Sequence, residues 1–206
     1  MIAIKYSKLN GAEFIPHLDT MRHFQKTMRR MEIPVNYSKG FNPHMLIYMS
    51  SPIPLGLKSE SEFCVIDTDF KCDDFIQKFN ENSPKGIRCK ECYYLDFKPN
   101  VAADITSAVY EIVGVNYFDV NEVLSSTEFM VFDKRKGEEI NSREKIKELY
   151  FEEDKLYARL DFGNVTLRPD YLIKKLVELY GGNHPYAIKK EALFLDGVKA
   201  EDYFNK

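Results

Sequence analysis

The residues best suited to chemistry lie together between residues 15 and 62. Two histidines, His17 and His44, are suited to acid–base work because imidazole changes charge near neutral pH. The side chains between and after them are mostly cationic, aromatic or hydrogen-bonding. We predict that His17 and His44 are the catalytic candidates, and that the binding candidates are Asp19, Arg22, Lys26, Arg29, Arg30, Tyr37, Ser38, Lys39, Gly40, Phe41, Asn42 and Glu62.

A helix must position the first part of this group. Apolar residues recur there at three- and four-residue steps, which predicts an amphipathic helix ending before Pro34. The predicted apolar side carries Leu18, Met21, Phe24, Met28 and Met31, and the predicted polar side carries Asp19, Arg22, His23, Lys26, Arg29 and Arg30. Cations four residues apart repel each other, and an anion would relieve that repulsion. Two interpretations stay open: a solvated surface, or a patch whose arginine forks bind phosphate oxygens.

A tight turn is predicted for the second part of the group, residues 37–44. Gly40 permits a positive φ, and Pro43 restricts the residue before it. In a binding role, Tyr37 and Phe41 would stack on a base, and Lys39 would meet phosphate. In a structural role, Phe41 would fill the core and His44 would bond to a carbonyl group.

His17, Asp19 and His44 leave two further alternatives open. As His-x-Asp plus a distant histidine they could bind a divalent metal, but the sequence offers no clear fourth ligand. As an acid–base pair with Lys39 they could cleave RNA through its 2′-hydroxyl without a metal. Cys89 and Cys92 lie in a predicted strand, where positions three apart face opposite sides, so we expect no zinc there.

Composition narrows the class of protein. With 206 residues and 44% hydrophobic content, the chain can bury a substantial core. The net charge of -3 excludes a uniformly basic nucleic-acid binder, yet the first 50 residues carry seven Lys or Arg against three Asp or Glu. The chain has four cysteines, no recognisable export signal and no apolar run near the length of a membrane span. We therefore expect a cytoplasmic protein without membrane contact. Common cofactor motifs are absent, so we predict no cofactor and no metal site.

The order of predicted elements in the first half is β-α-β-β-α-β, the split βαβ or ferredoxin-like unit. In that unit two helices cover one face of an antiparallel sheet and leave the other face available for binding. The second half repeats a similar order, with strands at 108–115, 128–132, 145–151, 155–162 and 187–195, and helices at 120–125 and 169–180. We therefore predict an α+β fold of two tandem ferredoxin-like (βαββαβ) units with antiparallel sheets. Residues 1–97 would carry the site, and residues 98–206 would form the second unit.

The pattern between Ile15 and Phe63 resembles a known bacterial family. The matching residues are His17-Leu18-Asp19, Arg29-Arg30, Ile33-Pro34, Tyr37-Ser38, Gly40-Phe41-Asn42-Pro43-His44, Pro54-Leu55-Gly56, Ser59 and Glu62. The pattern is similar to that of the radical SAM-linked proteins, a domain of unknown function that occurs beside, or fused behind, a cobalamin-binding radical SAM protein. This chain departs from it at Pro16 (usually serine), Met31 (alanine), Ile33 (leucine) and Met45 (often proline).

The resemblance implies a radical SAM protein as partner, and RNA (tRNA or rRNA) as the substrate class. The chemistry would then belong to the partner, because this chain lacks cluster-binding cysteines. Our first hypothesis is a non-catalytic accessory module that binds RNA, a radical SAM RNA-modifying partner, or both, through the basic helix and the Tyr37 to His44 loop. The alternative is a metal-independent RNA-cleaving or RNA-processing enzyme with His17 or His44 as general acid or base. A purely protein-binding adaptor is a third option, so the sequence leaves open whether the chain is an enzyme.

Overall fold

A computed structural model describes residues 1–205 apart from the side chain of Asp196. The fold is α+β with mostly antiparallel strands, which confirms the predicted class. The strands are β1 (Ile2–Lys8), β2 (Ile47–Met49), β3 (Lys58–Ile66), β4 (Ile87–Tyr94), β5 (Ile105–Val115), β6 (Met130–Asp133), β7 (Glu138–Asn141), β8 (Ile146–Glu152), β9 (Lys155–Asp161) and β10 (Gly182–Phe194). The α-helices in this part of the chain are α1 (His17–Arg30), α2 (Phe75–Glu81), α3 (Val101–Asp104), α4 (Val120–Leu124), α5 (Pro169–Tyr180) and α6 (Ala200–Phe204).

The chain divides into two compact units. Unit 1 is Met1–Asp104 together with the C-terminal segment from Val198, and unit 2 is Ile105–Gly197. Among the described residues, no helix has both the length and the apolar character needed to cross a membrane.

The sheet of unit 1 is built around β1, which pairs with β3 on one side and β4 on the other. The short strand β2 pairs with the end of β3, and all three pairings are antiparallel. Alternate residues of β1 face the helices, so Ile2, Ile4 and Tyr6 join the core that α1 and α2 cover. Phe24 of α1 lies 4.9 Å from the Tyr6 ring and 5.3 Å from the Phe79 ring of α2, measured between ring centroids.

The opposite face of the unit 1 sheet is not fully available, contrary to the prediction. Helix α6 returns to this face and places the Phe204 ring 4.9 Å from Tyr93 and 5.9 Å from Phe63. The apolar Phe63 on that face accounts for the packing, because burying an aromatic ring is favourable. A helix from the far end of the chain was not expected to belong to this unit.

Unit 2 contains a four-stranded sheet in the order β10-β5-β9-β8, again with antiparallel pairings. Helix α5 contributes buried Leu172 and Leu176 to its core, and Tyr180 at its end stacks on Phe118 at 4.2 Å between ring centroids. The sequence predicted a single strand at residues 128–132. The structure instead has a hairpin of β6 and β7 as a separate two-stranded sheet, because the Lys134 to Gly137 turn allows the chain to reverse.

Candidate functional site

Helix α1 is rotated relative to the prediction. Its buried residues are Thr20, Phe24, Thr27 and Met28, whereas Leu18 is 64% exposed. Thr20 follows Leu18 by two positions, which places the two side chains about 160° apart around a helix. The prediction counted only apolar side chains and omitted the two buried threonines, so assigning Leu18 to the core was wrong. His17 lies about 60° from Thr20 and therefore on the inward side.

A pocket of about 270 Å³ opens where β1, β3 and the start of α1 meet. His17 and Glu62, both predicted site residues, contribute to its lining. The full lining is Tyr6, Lys8, Ile15, Pro16, His17, Thr20, Pro52, Ile53, Leu55 and Glu62. Polar groups and apolar walls thus occur in one small space, which is typical of ligand sites.

The charged groups of this pocket are buried. Lys8 and Glu62 are 6% and 3% exposed, and Glu13 nearby is also buried. The Lys8 ammonium donates to the Ile15 carbonyl oxygen at 2.5 Å. Burial lowers the pKa of Lys8, while its attraction to the carboxylates of Glu62 and Glu13 opposes that change. One buried cation therefore interacts with two buried carboxylates.

An irregularity in β3 brings Ser59 and Glu62 to the same face. Tyr6 of β1 pairs with Glu62, but Lys8, two residues further on, pairs with Ser59, three residues back along β3. The extra residue is a β-bulge, which reorients the side chains that follow it. As a result the Ser59 hydroxyl donates to a Glu62 carboxylate oxygen at 2.7 Å, although positions three apart in a regular strand face opposite sides.

Burial and the charges of the pocket shift the pKa values of His17 and Tyr6. Burial, followed by the nearby Lys8 cation, lowers the pKa of His17, with Glu62 opposing. The lowered pKa keeps the imidazole mainly neutral at pH 7, so it can accept a hydrogen bond through one ring nitrogen and donate through the other. Burial, then the Glu62 charge, raises the pKa of Tyr6, so its phenol stays protonated.

The Tyr37 to His44 loop is closed at its base and open at its tip. The Ser38 amide donates to the His44 carbonyl oxygen at 2.9 Å, and the His44 amide donates to the Ser38 hydroxyl oxygen at 3.1 Å. That hydroxyl also shares a 2.8 Å hydrogen bond with His44 Nδ1. Gly40 has a φ of 126°, as the tight turn predicted. Phe41 is fully exposed, which rules out the interpretation that it fills the core.

The cations of α1 differ in what they contact. Arg22 forms an ion pair with Asp19 at 2.8 Å. Arg30 donates to the Thr27 hydroxyl at 3.0 Å and to the Asn82 carbonyl oxygen at 2.5 Å, so it ties the helix to the segment after α2. Lys26 and Arg29 are exposed.

His23 does not lie on a solvated face as predicted. Its Nε2 is 3.2 Å from both the Ser83 and Thr27 hydroxyl oxygens, and the ring packs edge-on against Phe24. Burial, with Arg30 and Lys26 adding to it, lowers the pKa of His23. His23 lies between the buried Thr20 and Thr27 in the sequence of α1 and close to the buried side of the helix, which explains these contacts.

The predicted site residues thus separate into three groups, one of which is the set of α1 residues Asp19, Arg22, Lys26, Arg29 and Arg30 described above. His17 and Glu62 line the pocket, whereas Ser38, His44 and the residues between them form the exposed loop, and His44 does not belong to the pocket lining. Sequence reasoning missed Tyr6 and Lys8, which complete the pocket. The signal available was the spacing of Tyr6 and Lys8, which are two positions apart at the end of β1 and therefore on one face of the strand.

The cysteine argument also needs correction. Lys5 pairs with Glu91 and Tyr6 pairs with Cys89, so β4 contains a second bulge. It places Cys89 and Cys92 on the same face, where both pack against the unit 1 core. The expectation that they point to opposite faces was therefore wrong. Burial raises the pKa of the Cys92 thiol to about 12. Within the described residues, no group of three or more His, Cys, Asp or Glu side chains could hold a metal ion.

Comparison with known proteins gives a family but no activity. No curated protein sequence matches the chain. A family model described as "Uncharacterized protein conserved in bacteria (DUF2344)" matches residues 1–175, which include all of unit 1 up to Asp104 and most of unit 2. The chain therefore belongs to this bacterial family.

Proposed function

We propose that this chain is a cytoplasmic, non-catalytic accessory module that binds RNA and acts with a radical SAM enzyme. The observation that carries the RNA part is the exposed loop tip, where Phe41 is fully exposed beside Lys39 on a base closed by Ser38 and His44. An exposed aromatic ring on an ordered loop loses little entropy on stacking with a base. Bases stack on any such ring, so this contact is tolerant of sequence.

Phosphate contacts in this proposal come from the exposed cations of α1 and the loop. Lys26, Arg29 and Lys39 are exposed, whereas Arg22 and Arg30 already bind Asp19 and the Asn82 carbonyl. Exposed cations exchange counterions for phosphates, which supplies affinity without sequence preference.

We also infer that each unit is a ferredoxin-like unit. In unit 1 the order β4-β1-β3 with β2 beside β3, and in unit 2 the order β10-β5-β9-β8, support that inference. Many ferredoxin-like RNA-binding domains stack bases on the open sheet face. In unit 1, α6 packs on that face through Phe204, so the loop and α1 are the better candidates for RNA contact.

The test is RNA affinity measured across a salt series. The full chain and a Lys26→Ala/Arg29→Ala variant are titrated into short single-stranded RNA. Losing two phosphate contacts is expected to reduce the slope of log K against log salt by roughly 1.4 for a single strand. The matched control is Lys134→Ala/Arg135→Ala, which removes one exposed lysine and one exposed arginine from the β6–β7 turn of unit 2. Equal slopes for all three proteins would contradict the proposal.

A second measurement tests stacking. Phe41→Ala is expected to weaken RNA binding by about 1–3 kcal/mol, the usual contribution of one base–aromatic stack. Tyr117→Ala, at an exposed aromatic residue of unit 2, is the control and is expected to leave affinity unchanged. Unchanged affinity in Phe41→Ala would remove the loop from the interface.

The partner is tested separately. The tagged full chain is purified from its native cells, and the co-purified proteins are identified by mass spectrometry. A radical SAM protein recovered in stoichiometric amount would support the partnership that the sequence resemblance implies. Its absence from repeated purifications would remove that part of the proposal without affecting RNA binding.

One observation favours the second candidate function, an RNA-cleaving enzyme with a histidine base. His17 lines the pocket and has a lowered pKa, so a neutral imidazole is available to accept the 2′-hydroxyl proton. The 2′-oxygen would then attack the adjacent phosphorus, and the 5′-oxygen would leave with a proton from water. Cleavage of small RNAs in EDTA that His17→Ala abolishes and His44→Ala retains would establish this function, and absence of cleavage would exclude it.

A further inference from the structure

The pocket lined by Tyr6, Lys8, His17 and Glu62 is a poor phosphate site. Its single lysine already interacts with the buried carboxylates of Glu62 and Glu13. Because His17 is neutral at pH 7, these groups together carry an excess of negative charge. A phosphate entering this space would meet repulsion and would lose its hydration.

The walls of the pocket favour a partly apolar group. Ile15, Pro52, Ile53 and Leu55 supply apolar surface, and Leu55 is 66% exposed at the rim. The volume of about 270 Å³ lies just below the roughly 300–1,000 Å³ of pockets that enclose whole drug-sized ligands. A single ring system suits this space better than a complete nucleotide, whose sugar and phosphate would remain outside.

We infer that the pocket receives one guanine base extruded from single-stranded RNA, an assignment that rests on the RNA-binding function proposed above. The Glu62 carboxylate would accept hydrogen bonds from guanine N1–H and from the 2-amino group. The Lys8 ammonium would donate to O6. Extruded bases are read in this way, by hydrogen bonds to the Watson–Crick edge and by packing on apolar walls.

The donor pattern selects guanine among the four bases. Only guanine presents two adjacent donors beside an acceptor on its Watson–Crick edge. Adenine would place its N1 acceptor against the Glu62 carboxylate, which repels it and leaves a buried acceptor unpaired. Uracil presents one donor between two acceptors, and cytosine presents one donor beside two acceptors.

An arginine side chain from a protein partner would also offer two donors to Glu62. The Lys8 ammonium favours guanine instead, because an arginine side chain has no hydrogen-bond acceptor to offer it. Guanine O6, by contrast, accepts a hydrogen bond from that ammonium.

The experiment measures binding of GMP, IMP and AMP to the full ¹⁵N-labelled chain by chemical-shift titration, with N-acetyl-arginine amide as a further probe. GMP is expected to bind tightest, with shifts at the pocket residues. IMP lacks the 2-amino donor and is expected to bind roughly 10-fold more weakly, and AMP more weakly still. Equal binding of the three nucleotides, or binding of the arginine amide in preference to GMP, would overturn the inference.

Two variants locate the site. Glu62→Gln is expected to abolish the preference for GMP over IMP. Because this residue is buried, Leu55→Ala provides a second variant at an exposed rim position, expected to weaken GMP binding several-fold. Leu18→Ala is the matched control, since Leu18 is nearly as exposed but does not line the pocket. A loss of GMP binding in Leu18→Ala equal to that in Leu55→Ala would overturn the location.

RNA oligonucleotides separate failure of this inference from failure of the proposed function. If guanine-free and guanine-containing single strands bind equally, with the salt slope still dependent on Lys26 and Arg29, RNA binding stands and the guanine pocket is wrong. If GMP shows the expected preference but RNA binding lacks that salt dependence, the pocket stands and the RNA interface proposed above is wrong.

Discussion

Unit 1 presents similar side chains in two opposite settings, the pocket and the exposed surface formed by the outer side of α1 and the loop. In the pocket, Glu62 is buried and its carboxylate accepts a hydrogen bond from the Ser59 hydroxyl. On the surface, Asp19 is exposed and pairs with Arg22, one helical turn away. The difference teaches that residue type alone does not distinguish a group that supports the fold from a group available to a partner. Burial and the number of hydrogen bonds and ion pairs that a group already makes distinguish the two.

The largest expected effect separates the two carboxylates. Glu62→Ala removes a buried charge and leaves Ser59 and Lys8 without it, so we expect a loss of about 3 kcal/mol in the free energy of unfolding. Asp19→Ala removes an exposed ion pair and is expected to cost at most about 1 kcal/mol. Urea unfolding followed by circular dichroism measures both. Equal losses would mean that the contrast between pocket and surface does not govern stability.

The Arg29-Arg30 pair offers the next contrast, because adjacent and chemically identical residues have different surroundings. Arg30→Ala loses the bonds to Thr27 and to the Asn82 carbonyl, so we expect a destabilisation of about 1–1.5 kcal/mol. Arg29→Ala is expected to leave stability within about 0.5 kcal/mol of the native chain while weakening RNA binding. Parallel unfolding and RNA-binding measurements on the two single variants test the separation. An Arg29→Ala variant that is destabilised but binds RNA normally would reverse the assignment.

The sequence predicted the existence of α1 well but its orientation poorly. Its length and end follow from the apolar period and from Pro34, and these survive in the structure. The orientation depends on Thr20 and Thr27, which are buried although they are polar. Threonine can bury its methyl group while its hydroxyl bonds to the helix backbone, as Thr20 does to the Pro16 carbonyl oxygen. A hydrophobicity count cannot detect that, and so His17 was not recognised as inward-facing.

The pocket was predicted only in part because a β-bulge in β3 decides how its side chains face. Glu62 was a predicted site residue, but its contact with Ser59 needs the extra residue in β3. The same irregularity in β4 reverses the expected facing of Cys89 and Cys92. A bulge depends on how two strands pair, which is long-range information that a local period of two does not contain. The loop was better predicted, because the positive φ of Gly40 is a local requirement.

A third prediction concerns order within the loop rather than the whole fold. Ser38→Ala removes both bonds that its hydroxyl makes with His44, and we expect a loss of at most about 1 kcal/mol in global stability because these groups are partly exposed. Amide hydrogen exchange at His44 is expected to accelerate, since its amide loses its acceptor. RNA affinity is expected to fall with it, as Phe41 loses its ordered support. Unchanged exchange at His44 would show that the backbone alone closes the loop.

The smallest expected effect is the pH response of the pocket, and its sign follows from His17. Burial and Lys8 hold the pKa of His17 below the ordinary value of 6.5, so the unfolded chain binds the proton more readily than the folded chain. The contribution of His17 to stability is therefore fully present above pH 6.5 and declines as the pH falls from 6.5 towards the lowered value. His23 acts in the same direction, so His17→Gln is expected to flatten the decline without abolishing it.

NMR titration of the His17 ring measures the pKa of this one group. Lys8→Met is expected to raise the pKa of His17 only part of the way towards 6.5, because burial is the larger cause. A full return to 6.5 in that variant would mean that the pocket lowers the pKa through charge alone, and that His17 is as well solvated as the surface groups.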